Sequence, residues 1–279
     1  MQRDSSVALM KAILLRRPGG PEALEYTEVP TPVPGDGEVL VKANTIGVSM
    51  PEVLVRRGTY NWMPPLPAIP GIELSGTIVA CGRNVTDRAV GEEVFVSARD
   101  LPVRAGCYAE YIAVPTRAAH KLPAGCDLEA AACLSNYQVA YHVLHTAARG
   151  VDAKTVLAVG GVGSAAVQLA LIAGMRVIGV AGSDAKTEAI RALGAHDVIN
   201  YHGEDVAARV RVATHGGGVD LILDPIGGKG FVAISRCWRR SASSCPTAGS
   251  TVHPPRFRRH DARVPRGEPS RALFHDPQL

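Results

Sequence analysis

TVLAVGGVGSAAVQLALIAGMRVIGVAGSDAKTEAIRALGAHDVINY, residues 155–201, is the stretch whose reading decides the fold. A continuous apolar run at 155–159 enters a glycine turn and then a helical stretch that opens on small residues. A second apolar run follows at 176–181, then another helix and a third strand at 197–200. The order β-α-β-α-β with short connections predicts a parallel sheet of the α/β class, doubly wound by helices. Gly160, Gly161, Val162 and Gly163 occupy the first turn, where missing side chains let backbone N–H groups at a helix N-terminus approach a pyrophosphate. The first position of the usual G-x-G-x-x-G is Ala158, so the motif reads A-x-G-x-x-G. A glycine turn also serves plain strand-to-helix packing; the strand before it and the helix after it carry the expectation of a dinucleotide site.

The end of the second strand bears on which dinucleotide. A carboxylate there would accept hydrogen bonds from a ribose 2′-OH and repel a 2′-phosphate. This chain has Ala181 and Gly182 instead, followed by Ser183 and Lys186, a hydroxyl and a cation suited to a phosphate. Asp184 reads as a capping acid for a helix at 185–193. NADPH is therefore expected over NADH.

Upstream the texture differs. Segments 37–48, 72–80, 93–97 and 107–114 are short, rich in Val and Ile and bounded by turn residues, which predicts an antiparallel barrel or sandwich. Pro64, Pro65, Pro67 and Pro70 stiffen the connection at 62–71. From 127 an apolar helical stretch begins, and a second domain is expected there. The chain of 279 residues, 46% hydrophobic, is long enough for two cores. It has no run of about 18 apolar residues and no signal-like start, so a soluble cytoplasmic protein without membrane partners is expected. Cysteines 81, 107, 126, 133, 237 and 245 form no C-x-x-C pair and read as reduced, mostly buried thiols.

The net charge of +4 is unevenly spread: residues 1–231 sum to −2 and residues 232–279, with nine Arg, no Lys and three acids, to +6. No finger or RNA-binding signature accompanies those arginines, which argues against a nucleic-acid partner. Residues 232–279 show no sustained period and a composition rich in Arg, Pro and Ser that cannot offset chain entropy. They are expected to be a disordered tail of out-of-frame origin.

GVSMPEVLVRRGTY, PAIPGIELSGTIVACG, GCYAEYIAVP, NYQVAYHVLH, GGVGSAAVQLA and DVINY, in this order, resemble the quinone oxidoreductase (zeta-crystallin-like) branch of the medium-chain dehydrogenase/reductase superfamily. The match covers about residues 10–231. It implies an N-terminal extension at 1–9, a GroES-like β-barrel catalytic domain at 10–126 and an incomplete Rossmann domain at 127–231. The sheet would be ordered 3-2-1-4-5-6, with 218–231 as the fourth strand and its turn. The resemblance further implies NADPH-dependent hydride transfer to a quinone or α,β-unsaturated carbonyl, with protein hydrogen bonds and water steadying the oxyanion. It suggests a homodimer, although the dimer-edge strands lie beyond the matched part.

Zinc-dependent relatives place a cysteine where Ser49 stands, a histidine where Ile72 stands in Gly71-Ile72-Glu73, and a third ligand near Ser135, so no metal is expected. His142, His145 and Cys133 read as ordinary residues of a helical region. The asparagine and tyrosine that relatives use catalytically correspond to Ser49 and Leu54. Ser49 is thus a candidate catalytic hydroxyl, with Arg56 and Tyr60 as candidates for lining the pocket. Tyr201 matches the residue beside the 2′-phosphate in NADPH-dependent relatives. The alternative is a catalytically defective or purely nucleotide-binding product.

Overall fold

Buried and partly exposed side chains alternate along 38–41 and 111–115, and in the computed structural model, which describes residues 8–147, 153–159, 161–224 and 234–239, these segments lie in strands with one buried face. Contacts divide the chain into two units, Met1–Asn136 and Tyr137–Leu279.

In the first unit, β1 (Leu9–Leu15) and β2 (Leu24–Pro30) pair antiparallel as a ribbon, Leu9 opposite Pro30 and Leu15 opposite Leu24. A five-stranded antiparallel sheet follows from β3 (Glu38–Ile46), β4 (Glu73–Cys81), β5 (Glu93–Ser97), β6 (Tyr111–Pro115) and β7 (Ala119–Lys121), in the order β6-β3-β4-β5-β7. Register shifts at Leu40/Val41 and Ala43/Thr45 break the β3–β4 ladder, and such bulges add twist and bend a sheet. Val39, Val41, Ile72, Leu74, Val94 and Val96 fill its core. Helix α1 (Met50–Arg57) lies between β3 and β4 in sequence and ends at Gly58, whose φ of 74° is left-handed. Helix α2 (Leu128–Ala131) packs on β3 and β4. This contact holds residues after 127 with the barrel strands, so the division falls at 136 instead of at the change of texture.

In the second unit, α3 (Leu134–His142) continues as a wider turn to Ala147, and its first three residues belong with the first unit. Then come β8 (Thr155–Val159), α4 (Gly161–Ile172), β9 (Arg176–Ala181), α5 (Asp184–Ala192), β10 (Asp197–Asn200), α6 (Val206–Ala213) and β11 (Leu221–Leu223). The strands are parallel and ordered β10-β9-β8-β11, the 3-2-1-4 half of the expected sheet. Every residue of β8 is buried. Side chains alternate between faces, so Val156 and Ala158 pack with Ala165, Ala166 and Ala170 of α4, whereas Leu157 and Val159 pack with Val206 and Val210 of α6. No helix among the described residues is long and apolar enough to cross a membrane.

One expectation is corrected here. Residues 234–239, assigned to a disordered tail, are ordered against the second unit. Ile234 and Cys237 are buried beside Val210 and Val219. Val219 N–H donates to the Cys237 carbonyl over 2.9 Å, Arg239 N–H donates to the Val219 carbonyl over 2.8 Å, and Trp238 bridges Val219 in parallel. The Arg239 guanidinium also pairs with Asp220. Two apolar side chains three residues apart share one side of a helical turn, too short a repeat to register as a period in the sequence. The remaining tail expectations, for 232–233 and 240–279, lie outside the described residues.

Because Ile234 is 8% exposed, Ile234→Ala should cost about 2–4 kcal/mol in urea unfolding of the full chain, the usual range for truncating a buried branched residue. A loss below about 0.5 kcal/mol, the range of surface substitutions, would mean that this turn does not support the sheet.

Candidate functional site

Ser49 ends the loop after β3 and caps α1, with Glu52 three residues on, the reciprocal arrangement of a capping box. Here the acid does more than cap. Glu52 is 5% exposed; its Oε2 accepts the Ser49 backbone N–H at 2.9 Å and the Ser49 hydroxyl at 2.9 Å, and its Oε1 accepts the Ile72 N–H at 3.0 Å. The α1 N-terminus is thereby tied to the start of β4. Next along, Glu73 is 2% exposed and its Oε2 accepts the Ser135 N–H at 3.0 Å. The Glu73 side chain lies over Gly47, where an added Cβ would sit 2.4 Å from Glu73 Cγ and 2.5 Å from the Ala132 carbonyl oxygen. Only glycine fits there. Two buried carboxylates thus hold together the loop at 47–49, the start of β4 and the start of α3.

Burial raises Glu73 above the usual carboxylate range, the Ser135 hydrogen bond opposes this, and the charge of Glu52 adds to the rise. Burial, reinforced by both carboxylates, also pushes up the Cys107 thiol and the Tyr108 phenol.

The three catalytic candidates are not brought together by any described contact. The Ser49 hydroxyl faces Glu52. Arg56, at the other end of α1, donates from Nη1 to the Gly19 carbonyl over 2.7 Å. Tyr60 meets Trp62 edge-on with centroids 5.6 Å apart, and Arg104 lies 4.5 Å over the Trp62 ring. Glu52 and Glu73 were missed as site residues. The S-x-x-E spacing announces the cap, but nothing local announces the bond to Ile72.

Lys11, Tyr26, Asn44, Val48, Tyr108 and Glu110 are among the residues that line a cleft of about 400 Å³. The positions at which zinc-dependent relatives place ligands hold a hydroxyl, a buried alkyl group and a hydroxyl, at Ser49, Ile72 and Ser135. No three His, Cys, Asp or Glu side chains among the described residues gather to hold a metal. That donor set does not fit zinc. His145 packs on the Tyr141 ring, centroids 4.5 Å apart.

In the second unit, Gly161, Val162 and Gly163 open α4 directly after β8; Gly160 lies outside the described residues. The phosphate candidates cluster where β9 and β10 end. Ser183 caps α5, its hydroxyl accepting the Lys186 N–H at 3.4 Å. Tyr201 N–H donates to the Ala181 carbonyl over 3.0 Å, and the Tyr201 hydroxyl lies 2.3 Å from where a Cβ on Gly182 would be. Gly182 is needed there because the phenol fills its side-chain space. Lys186 is exposed and meets no carboxylate among the described residues. Asp184 is not the cap expected of it. Its Oδ1 accepts from Asn200 Nδ2 over 2.8 Å, which fixes the acid on β10, while Ser183 does the capping. Ser183, Lys186 and Tyr201 therefore lie near the end of β9, where Gly182 stands in place of an acid, the position at which doubly wound sheets bind ligands.

A barrel-type antiparallel sheet followed by a doubly wound parallel sheet is the architecture of a dehydrogenase with a GroES-like domain. The alcohol dehydrogenase GroES-like domain family matches residues 35–124, and the zinc-binding dehydrogenase family matches residues 161–253. The chain is 33% identical to the quinone oxidoreductase of Homo sapiens over 221 residues, covering 77% of this chain and 66% of that protein. The quinone oxidoreductase of Rattus norvegicus is 33% identical over 226 residues, 79% of this chain and 68% of that one. Among solved structures, Escherichia coli quinone oxidoreductase complexed with NADPH superposes with a TM-score of 0.73 at 27% identity, over 82% of this chain and 70% of that one. The chain belongs to the medium-chain dehydrogenase/reductase superfamily, in the group of the quinone oxidoreductases. It spans about two thirds of the length of these relatives.

Glu73 gives this site a pH signature. The folded chain keeps the Glu73 proton to higher pH than the unfolded chain, whose carboxyl titrates near 4.5. Its contribution to stability is full below that value and is lost as pH rises through the folded-state value. Glu73→Gln keeps an acceptor for Ser135 without a charge, so its stability relative to wild type should increase from about pH 4 to about pH 8. Thermal unfolding of both proteins across that range checks this; a constant difference would refute it.

Proposed function

We propose that this chain is an NADPH-dependent oxidoreductase that transfers hydride to a quinone or α,β-unsaturated carbonyl without zinc. The observation that carries the reading is the group Ser183, Lys186 and Tyr201 around Gly182, which stands where an acid would accept a ribose 2′-OH, while the neighbouring Asp184 is bonded to Asn200. A 2′-phosphate would find a hydroxyl, an ammonium and a phenol there. The complex of the Escherichia coli relative with NADPH supports the same choice. Gly160, Gly161, Val162 and Gly163 would bring backbone N–H groups to the pyrophosphate.

When bound, the cofactor supplies hydride from its nicotinamide C4. The chain's own part is to bind, orient and exclude water. In this reading residues 10–126 form the catalytic domain and 127–231 the cofactor domain, acting on a small molecule in the cytoplasm. The homodimer of the family belongs to the proposal as well. Ser49 is held by Glu52 and is not free to donate to an oxyanion, so water and backbone N–H groups take that role. Arg56 and Tyr60, placed apart from Ser49 by the contacts above, act at most on the pocket rim. A second reading, nucleotide binding without turnover, is favoured by that separation; tight NADPH binding with no reduction of a simple quinone would single it out.

Calorimetric titration tests the cofactor site. NADPH should bind roughly tenfold to a hundredfold more tightly than NADH, and Lys186→Ala should remove most of the difference, the usual worth of a charge-assisted phosphate contact. Equal affinities in the wild type would contradict the reading. For the metal, elemental analysis of purified protein should find far less than one zinc per chain, because Ser49, Ile72 and Ser135 offer no soft donors. Stoichiometric zinc would overturn that part.

A further inference from the structure

A carboxylate at a dinucleotide-binding strand end takes hydrogen bonds from a ribose 2′-OH and repels a 2′-phosphate, so the acids around that point matter. Asp184, Glu204 and Asp205 stand within a few residues of the ends of β9 and β10. Each is engaged. Glu204 accepts the Asn200 N–H at 2.9 Å and pairs with Arg209 at 2.7 Å. Asp205 caps α6 and accepts the Ala208 N–H at 3.1 Å. Asp184 is exposed in the first turn of α5, between Ser183 and Lys186. Among the described residues its side chain bonds to Asn200, whose Nδ2 donates to Oδ1 over 2.8 Å. The orientation of that amide is set from its other side. The His202 N–H can only donate, and it donates to Asn200 Oδ1 over 3.1 Å, so the Asn200 amide hydrogens are left for the carboxylate. Asn200 itself is placed by strand register, opposite Ala181 of β9.

We propose that Asn200 is a positioning residue for cofactor choice: by holding Asp184 at the end of β10 it keeps the carboxylate off the ribose edge and leaves Ser183, Lys186 and Tyr201 to a 2′-phosphate. The proposal rests on the NADPH reading above and deepens it. The chain carries an acid two residues after Gly182, and an acid free to turn there would serve a 2′-hydroxyl and oppose a phosphate. An amide on the neighbouring strand decides whether that acid counts. Asn200 acts through Asp184 and needs no contact with the ligand.

The test titrates the full chain with adenosine 2′,5′-bisphosphate and with adenosine 5′-phosphate, which differ by the 2′-phosphate alone, and follows binding by calorimetry. The wild type should prefer the bisphosphate. Asn200→Ala frees Asp184 and should lower that preference roughly fivefold or more, the worth of one like charge about 4 Å away near water. Asp184→Ala should leave the preference within about twofold of wild type, because the acid is already held away, and the double variant should return to the same range. A merely structural Asn200 would weaken both ligands alike and would not be rescued by removing the acid. If Asn200→Ala does not fold, Asn200→Ser, which keeps an oxygen for the His202 N–H, takes its place in both backgrounds. An unchanged preference in the asparagine variant, no rescue in the double variant, or a preference raised more than about threefold by Asp184→Ala overturns this proposal alone. Equal binding of the two ligands by the wild type, or binding of neither, overturns the cofactor reading and this proposal with it.

Discussion

Glu73 brings a carboxylate into a region whose other large side chains are apolar, and the first unit is arranged so that this carboxylate is tolerated. An unpaired buried acid would cost several kcal/mol. The chain answers with the Ser135 N–H, a raised affinity for the proton, and a glycine at 47 that lets the side chain lie flat on the loop. Glu52 is held by three donors on its two oxygens. Because each acid bonds to backbone far away in sequence, the two together set where β3 ends, where β4 starts and where α3 begins.

The second unit depends on a simpler constraint. A strand buried on both faces must present apolar groups at every position, and β8 does so from Thr155 to Val159. Helices then cover both sides, and all strand ends of one polarity fall along one edge. Gly182, Ser183 and Tyr201 are neighbours for that reason alone: β9 and β10 are parallel and in register, with Asn200 opposite Ala181. Residues nearly twenty apart in the chain become neighbours.

What was legible in the sequence follows from these two cases. The parallel sheet was legible because continuous apolar runs between helices have few other interpretations. Asp184 was misplaced by one residue, since Ser and Asp are both good caps and only the contact with Asn200 separates them. Glu52 and Glu73 were not legible as a buried pair: a carboxylate in a sequence reads as surface, and its burial depends on backbone donors 20 and 62 residues away. The turn at 234–239 was missed for the same reason, because Ile234 and Cys237 gain their meaning only against Val219.

The electrostatic balance of the first unit follows from the same pair. In relatives that place a cysteine and a histidine where Ser49 and Ile72 stand, a divalent cation would dominate the local charge and draw oxyanions. Here the ligand positions hold neutral groups, and Glu52 and Glu73 bond instead to the backbone N–H groups of Ser49, Ile72 and Ser135. These bonds tie the loop at 47–49 to β4 and to the start of α3 through side chain and backbone.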